Sequence, residues 1–347
     1  MRRQARPICL DHDGTRIPNS CGEFSIREFA KASLIELIAV YMQKHNPGLL
    51  SVSTDGIDAL RQAQAPAGAK RDMLQMVARE CGPEALLSIG QEINQVTYDP
   101  VWRSALRSET PAVLFDKWRR FEVFAHSSNR VEIDLITERH ARFRRRATGG
   151  PAPTPPENLL ICGLIIGLLE GSGCRGLWCD MASQLGEPVR IRQQCGFCLP
   201  HDPTKLLTNN WTIGWQTHSI PKAIDPQGNS PPQVDLPPVE DASLAALLKT
   251  ITDLMMLDVA RQWKTNELAS ALGLSTRTLQ RRLTQAGLSF SQMVRLVRIS
   301  EACRLLKSED ISLTSIGFCA GFSDSSHFSR DFRASVGLTP SEFRAFQ

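Results

Sequence analysis

The sequence predicts two units of different class: an N-terminal α+β domain, with helices packed on a mostly antiparallel sheet, and an all-α C-terminal domain with two helix-turn-helix motifs. Three observations carry this expectation. One helical pattern occurs twice near the C-terminus, at 265–287 (TNELASALGLSTRTLQRRLTQAG) and at 313–337 (LTSIGFCAGFSDSSHFSRDFRASVG). A proline-rich stretch at 221–238 (PKAIDPQGNSPPQVDLPP) reads as an extended spacer, because proline withholds the N–H that helices and ladders need. Ahead of it, amphipathic segments dominate first and alternating segments follow. The expected boundaries are 1–220 for the N-terminal domain, 221–240 for the linker and 241–347 for the double helix-turn-helix domain.

The N-terminal elements follow in order. Residues 25–43 are amphipathic, with Phe29, Leu34, Ile38 and Tyr41 as candidate core, and 71–81 and 84–96 continue in that style. Residues 112–124 predict another helix. The eleven-residue apolar run 159–169 lies in a helix from 156, too short for a membrane span of about twenty residues and so a buried core helix. Alternation predicts strands at the start of 131–143, in GLWCDM, at 188–197 and at 210–216. The basic run RHARFRRR at 139–146 reads as a solvated strand end and loop, and 149–156 as an exposed loop. His126 and Arg130 read as polar residues before a strand, with an anchor for an anionic ligand as the alternative. Trp178, Trp211 and Trp215 fall on predicted strands, where they suit either core packing or an apolar effector pocket.

In the first C-terminal motif, Leu268, Ala269 and Leu272 recur at helical spacing and Gly273 supplies the turn. Ser275 is a good N-cap for a second helix that buries Leu279 and Leu283 and turns Arg277, Gln280, Arg281 and Arg282 outward. The second motif repeats the plan with Ile316 and Cys319 inside, Gly321 at the turn and Ser323 as the expected cap. Phe328 and Phe332 are buried, and Ser325, Ser326, Ser329 and Arg330 face outward. GLTPSEFR predicts a stop followed by a short terminal helix. Between the motifs, 289–308 is amphipathic; its twenty residues would span about 30 Å, close to the roughly 34 Å between successive major-groove faces. Second helices of such motifs enter the major groove, where Arg pairs with guanine and Gln with adenine.

This region resembles the AraC/XylS family of bacterial transcription regulators. The resemblance rests on SxRTLQRRLxxxGxSF (275–290), RLVRISEACRLL (295–306) and GFSDSSHFSRDFRxxxGLTPSEFR (321–344), and covers 254–346, under a third of the chain. Carried over by position, Arg277 and Arg281 match base-reading positions of the first helix, with Gln280 beside them, and Ser325, Ser326 and Arg330 match those of the second. Ser275, Thr276, Arg282 and Ser329 are expected to contact phosphates. Gly317 departs from the usual alanine, which should loosen its helix by up to about 1 kcal/mol. The serine-rich second helix should discriminate bases less than the first. The resemblance implies promoter DNA, a small-molecule effector, RNA polymerase and a second copy of the chain as partners, and activation rather than repression. The helices-then-sheet order is similar, by analogy, to small-molecule sensor domains of the vinyl-reductase-like and haem-NO-binding superfamily.

The net charge of +4 is mild, but residues 261–344 hold 12 Lys/Arg against 7 Asp/Glu, so DNA affinity should fall steeply with salt. No P-loop, GxSxG, HExxH or strand-linked GxGxxG is present, so neither an enzyme nor a bound cofactor is expected. The remaining chemistry lies in ten cysteines. Cys195 and Cys198 form a CxxC followed by His201, with Cys174 and Cys179 upstream at an irregular C-x4-C-x15-C-x2-C spacing. Three readings stand: reduced thiols, a metal site on Cys195, Cys198 and His201, or a redox pair. A zinc-dependent methyl acceptor for alkylated DNA would be an enzymatic alternative, but its PCHR-type motif is missing. With no export signal, reduced thiols and a cytoplasmic location are expected.

Overall fold

A computed structural model describes residues 24–47, 69–96, 99–124, 129–194, 196–219, 234–308 and 311–346. His126, Cys195, most of the proline-rich spacer and the Phe29 side chain lie outside the described residues.

The N-terminal part opens with helices. α1 (Phe24–His45) buries Leu34, Ile38 and Tyr41 as expected, and α2 (Ala69–Cys81) follows. The helix expected over 84–96 is instead two pieces, α3 (Pro83–Ser88) and a tighter 3-10 segment (Ile89–Gln95). The reason is backbone contact. A Cβ on Gly90 would lie 2.1 Å from the Gly163 carbonyl oxygen, and one on Gly163 would lie 2.2 Å from that of Leu87, so main chain meets main chain there. α4 (Pro100–Leu106), capped by Asp99, was not anticipated; α5 (Pro111–Phe124) was.

The sheet has six strands in the order β1-β2-β7-β4-β5-β6, every neighbouring pair antiparallel: β1 (Asn129–Thr137), β2 (His140–Ala147), β4 (Trp178–Ser183), β5 (Val189–Gln193), β6 (Gly196–Phe197) and β7 (Leu206–Gly214). Two short strands, β3 (Cys174–Arg175) and β8 (Thr217–His218), pair separately. Two expectations are corrected. RHARFRRR is a full strand, β2, between β1 and β7; it alternates inward and outward, and the buried Arg145 donates to Asn158 Oδ1 at 3.2 Å. The strand expected at 188–197 breaks into the β5–β6 hairpin, where Gln194 takes φ 56°.

α6 (Pro155–Gly171), capped by a Thr154–Glu157 capping box, is the predicted buried helix, its apolar residues enclosed by the sheet and the preceding helices. Trp211 stacks on Phe143 at 6.1 Å and Phe115 of α5 meets Phe143 edge-on at 5.5 Å, so aromatic rings fill this core. Trp211 and Trp215 are core residues and Trp178 is half-buried. No helix among the described residues is long and apolar enough to cross a membrane.

The C-terminal part is helical throughout: α7 (Ala242–Leu257), α8 (Thr265–Ala271), α9 (Thr276–Gln285), α10 (Phe290–Leu306), α11 (Leu313–Cys319), α12 (Ser325–Val336) and α13 (Pro340–Ala345). α10 has 17 residues rather than the expected twenty, a length of roughly 25 Å. It serves two cores. Met293 and Val297 join α7, α8 and α9 in one, while Ala302, Leu305 and Leu306 join α11 and α12 in another. The second core is completed by Val101 of α4 and Phe124 of α5, with Phe121 against it. Phe121 and Phe124 both meet the Phe318 ring edge-on, at 5.8 and 5.9 Å.

Candidate nucleic-acid interface

Each helix pair turns on a glycine that the chain direction requires. Gly273 has φ 66° and Gly321 φ 84°, left-handed values that a side chain rarely tolerates. After the first turn, the Ser275 hydroxyl accepts from the Thr278 amide at 3.1 Å and starts α9, as expected. After the second, Ser323 is not the cap. Asp324 takes that position, its carboxylate accepting from the His327 amide at 2.8 Å, and Ser323 donates to Asp324 Oδ2 at 2.9 Å. These bonds, the His327 amide foremost, hold the Asp324 carboxyl below its usual range. A carboxylate is the stronger acceptor for exposed helix amides and also suits the positive end of the helix dipole.

α9 buries Leu279 and Leu283 and leaves Arg277, Gln280 and Arg281 exposed; Thr276 and Arg282 are half-buried and Ser275 is exposed. Among the described residues, neither Arg277 nor Arg281 has an ion-pair partner. α12 buries Phe328 and Phe332 and exposes Ser326, Ser329 and Arg330, with Ser325 half-buried. Arg330 lies 3.8 Å from Asp331, while His327 Nε2 lies 2.9 Å from the other oxygen of that carboxylate. Two helices therefore present polar, cationic side chains outward on apolar backs.

The relative placement of the two helix pairs is fixed at a seam that the sequence did not reveal. Gln262, just before α8, donates to the Gly321 carbonyl at 2.8 Å and accepts from Arg298 of α10 at 2.9 Å. From α5, Arg120 donates to the carbonyls of Ala260 and Phe322, and its guanidinium lies over the Phe318 ring. Lys117 of α5 is buried and donates to Asp258 Oδ2 at 2.8 Å and to the Ser104 carbonyl at 2.7 Å. Burial pulls the Lys117 ammonium below its usual range, and the Asp258 carboxylate opposes that. Arg261 pairs with Glu109. A lysine and an arginine inside the amphipathic α5 pattern were the only sequence signal, and their partners lie about 140 residues on.

Cys195 lies outside the described residues, so of the set singled out above only Cys174, Cys179, Cys198 and His201 are placed. Cys174 and Cys179 are buried, and burial pushes the Cys174 thiol up to about 12 and the Cys179 thiol well above its ordinary value. Cys179 instead faces Cys162 of α6, sulfur to sulfur at 3.8 Å. Cys198 and His201 are exposed. Among the described residues no three His, Cys, Asp or Glu side chains could hold a metal ion together.

The profile of a helix-turn-helix domain family matches residues 268–345. The HTH-type transcriptional activator RhaS of Klebsiella pneumoniae (strain 342) is 38% identical over 105 residues, covering 30% of this chain and 36% of that protein. The HTH-type transcriptional activator FapR of Escherichia coli is 29% identical over 93 residues, covering 27% of this chain and 36% of its own. The matched region thus spans only about a third of these relatives' length. A solved regulator with an AraC-type DNA-binding domain from Chromobacterium violaceum is 31% identical, with TM-score 0.29, covering 30% of this chain and 95% of its own. Both outward-facing helices, both glycine turns and the connecting α10 fall inside the matched span, so residues 268–345 form a helix-turn-helix domain similar to those of these activators.

Proposed function

We propose that this protein is a sequence-specific DNA-binding transcription regulator, an activator answering a small-molecule effector. The observation that carries the reading is the pair of exposed polar helix faces, α9 and α12, held by one connecting helix. In this reading Arg277, Gln280 and Arg281 read bases in one major groove. Ser325, Ser326 and Arg330 lie along the next, and Ser275, Thr276, Arg282 and Ser329 hold phosphates. Residues 1–220 would form the effector-binding and dimerisation domain, 221–240 the linker and 241–347 the DNA-binding domain. Promoter DNA, the effector, RNA polymerase and a second copy of the chain are its proposed partners.

The seam supports the coupling. An effector can act only by favouring one arrangement of the parts over another, and α5 touches the turn of the second helix pair directly. The test is binding to a promoter fragment recovered by selection from random duplexes. Arg281→Ala should cost roughly 1–3 kcal/mol and relax preference at one base position. An equal loss on selected and random DNA would make Arg281 a phosphate contact and overturn its base-reading role.

A further inference from the structure

One cleft at the seam holds two arginines that no ion pair of the fold and neither DNA-reading helix uses. Arg103, Ser104 and Arg107 line one wall, from α4 and the residue that ends it; Asp258, Glu301 and Cys319 line the other. Arg103 and Arg107 are four residues apart, so they share one face of the turn. Both are half-buried, and among the described residues neither has an ion-pair partner.

Three of the nearby acids are paired with other cations, and the fourth, Asp99, caps a helix and keeps its charge. Asp258 is held by Lys117, with 2.7 Å to one oxygen and 2.8 Å to the other. Glu301 accepts from Arg304 through both oxygens, at 2.7 Å each. Asp99 caps α4, accepting from the Val101 amide at 2.8 Å, and Glu109 pairs with Arg261. The Ser104 hydroxyl is buried against this cleft with no hydrogen-bond partner, in a residue only 8% exposed. Desolvation, then Arg107 and then Arg304, push the Arg103 guanidinium below its ordinary range, against a smaller opposing pull from Cys319 and Glu301. Two half-buried like charges beside an unsatisfied hydroxyl form a costly arrangement, and an oxyanion would relieve all three.

We propose that this cleft binds a small anion through a carboxylate or phosphate group, held by Arg103, Arg107 and the Ser104 hydroxyl. Guanidinium forks match both groups bidentately, and a hydroxyl donates to either. The opposite wall comes from the 258–260 segment, α10 and α11, so a bound anion lies against both parts of the chain. Resting on the regulator reading, this is a place where a metabolite's charge alters how firmly the N-terminal part grips the second helix pair.

Thermal unfolding of the full chain tests it, in inorganic phosphate and in succinate, each against sodium chloride at matched ionic strength. Phosphate or succinate should raise Tm by a few degrees beyond chloride at millimolar concentrations, and the stronger of the two identifies the group. The Arg103→Gln/Arg107→Gln variant should lose the rise. Arg107→Gln alone, at a more peripheral position, should lose at least half of it and serves where the double variant does not fold. A rise equal to that in chloride, or one unchanged in a folded variant, would overturn the proposal. Random-duplex binding across a salt series supplies a second arm. Wild type and variant should share one salt slope; a shallower slope in the variant would make the arginines DNA-phosphate contacts, which also overturns it. Absence of all DNA binding in wild type would sink the regulator reading instead, while the anion-dependent Tm would still report on the cleft.

Discussion

Gly317 shows how one position changes meaning once its neighbours are known. Read along the chain, it is a weak link in its helix. In the structure a Cβ there would lie 3.0 Å from Phe328 Cδ1 and 3.3 Å from Phe124 Cε1. The missing methyl is room for a ring arriving from α5. Gly317→Ala gains about 1 kcal/mol of helix propensity, but must displace two rings that are almost wholly buried. We expect Tm to fall in the full-length protein; a rise would show that the rings yield. The outward residues of α9 and α12 were legible because helical period alone sets which side faces solvent. The Asp324 cap was not, since Ser323 and Asp324 are both good caps and only backbone geometry, φ −160° at Asp324, decides between them.

At the scale of elements, the join between α5 and β1 carries a pH response. The Glu122 carboxylate accepts from the Val131 amide at 3.1 Å, yet burial outweighs that bond and raises its pKa to about 7. An unfolded glutamate titrates near 4.5. Between these values the folded state binds the extra proton, so stability falls as pH rises through this window. Melting curves from pH 5 to pH 8 should show a declining Tm, and Glu122→Gln should flatten the decline. An unchanged slope in that variant would assign it to another group. Sequence period found α1, α2, α5, α6 and most strands. It missed the break at Ile89, because the cause is the meeting of Gly90 and Gly163 backbones across 73 residues of chain. It also undervalued β2, whose arginines alternate with Ala141 and Phe143; the inward Arg145 is tolerated because Asn158 receives it.

Across the whole molecule, the seam was invisible to period and motif alike, since its pairs are joined by folding and not by spacing. Lys117 and Asp258 are 141 residues apart and both buried. Asp258→Ala should destabilise the protein by about 3–5 kcal/mol, because it strands a buried ammonium. The double change Lys117→Met/Asp258→Leu should recover most of that loss in denaturant titrations. If the double variant is as unstable as the single, the seam depends on the charges themselves. The division of α10 between two cores then bears on modularity. The first helix pair closes its core with α7 and is self-sufficient, whereas the second borrows Val101 and Phe124 from the other end of the chain. A chimera that grafted residues 241–347 onto a foreign domain would carry one finished core and one left open on Phe318. For such a graft to keep both helix pairs packed, α4 and α5 would have to travel with it.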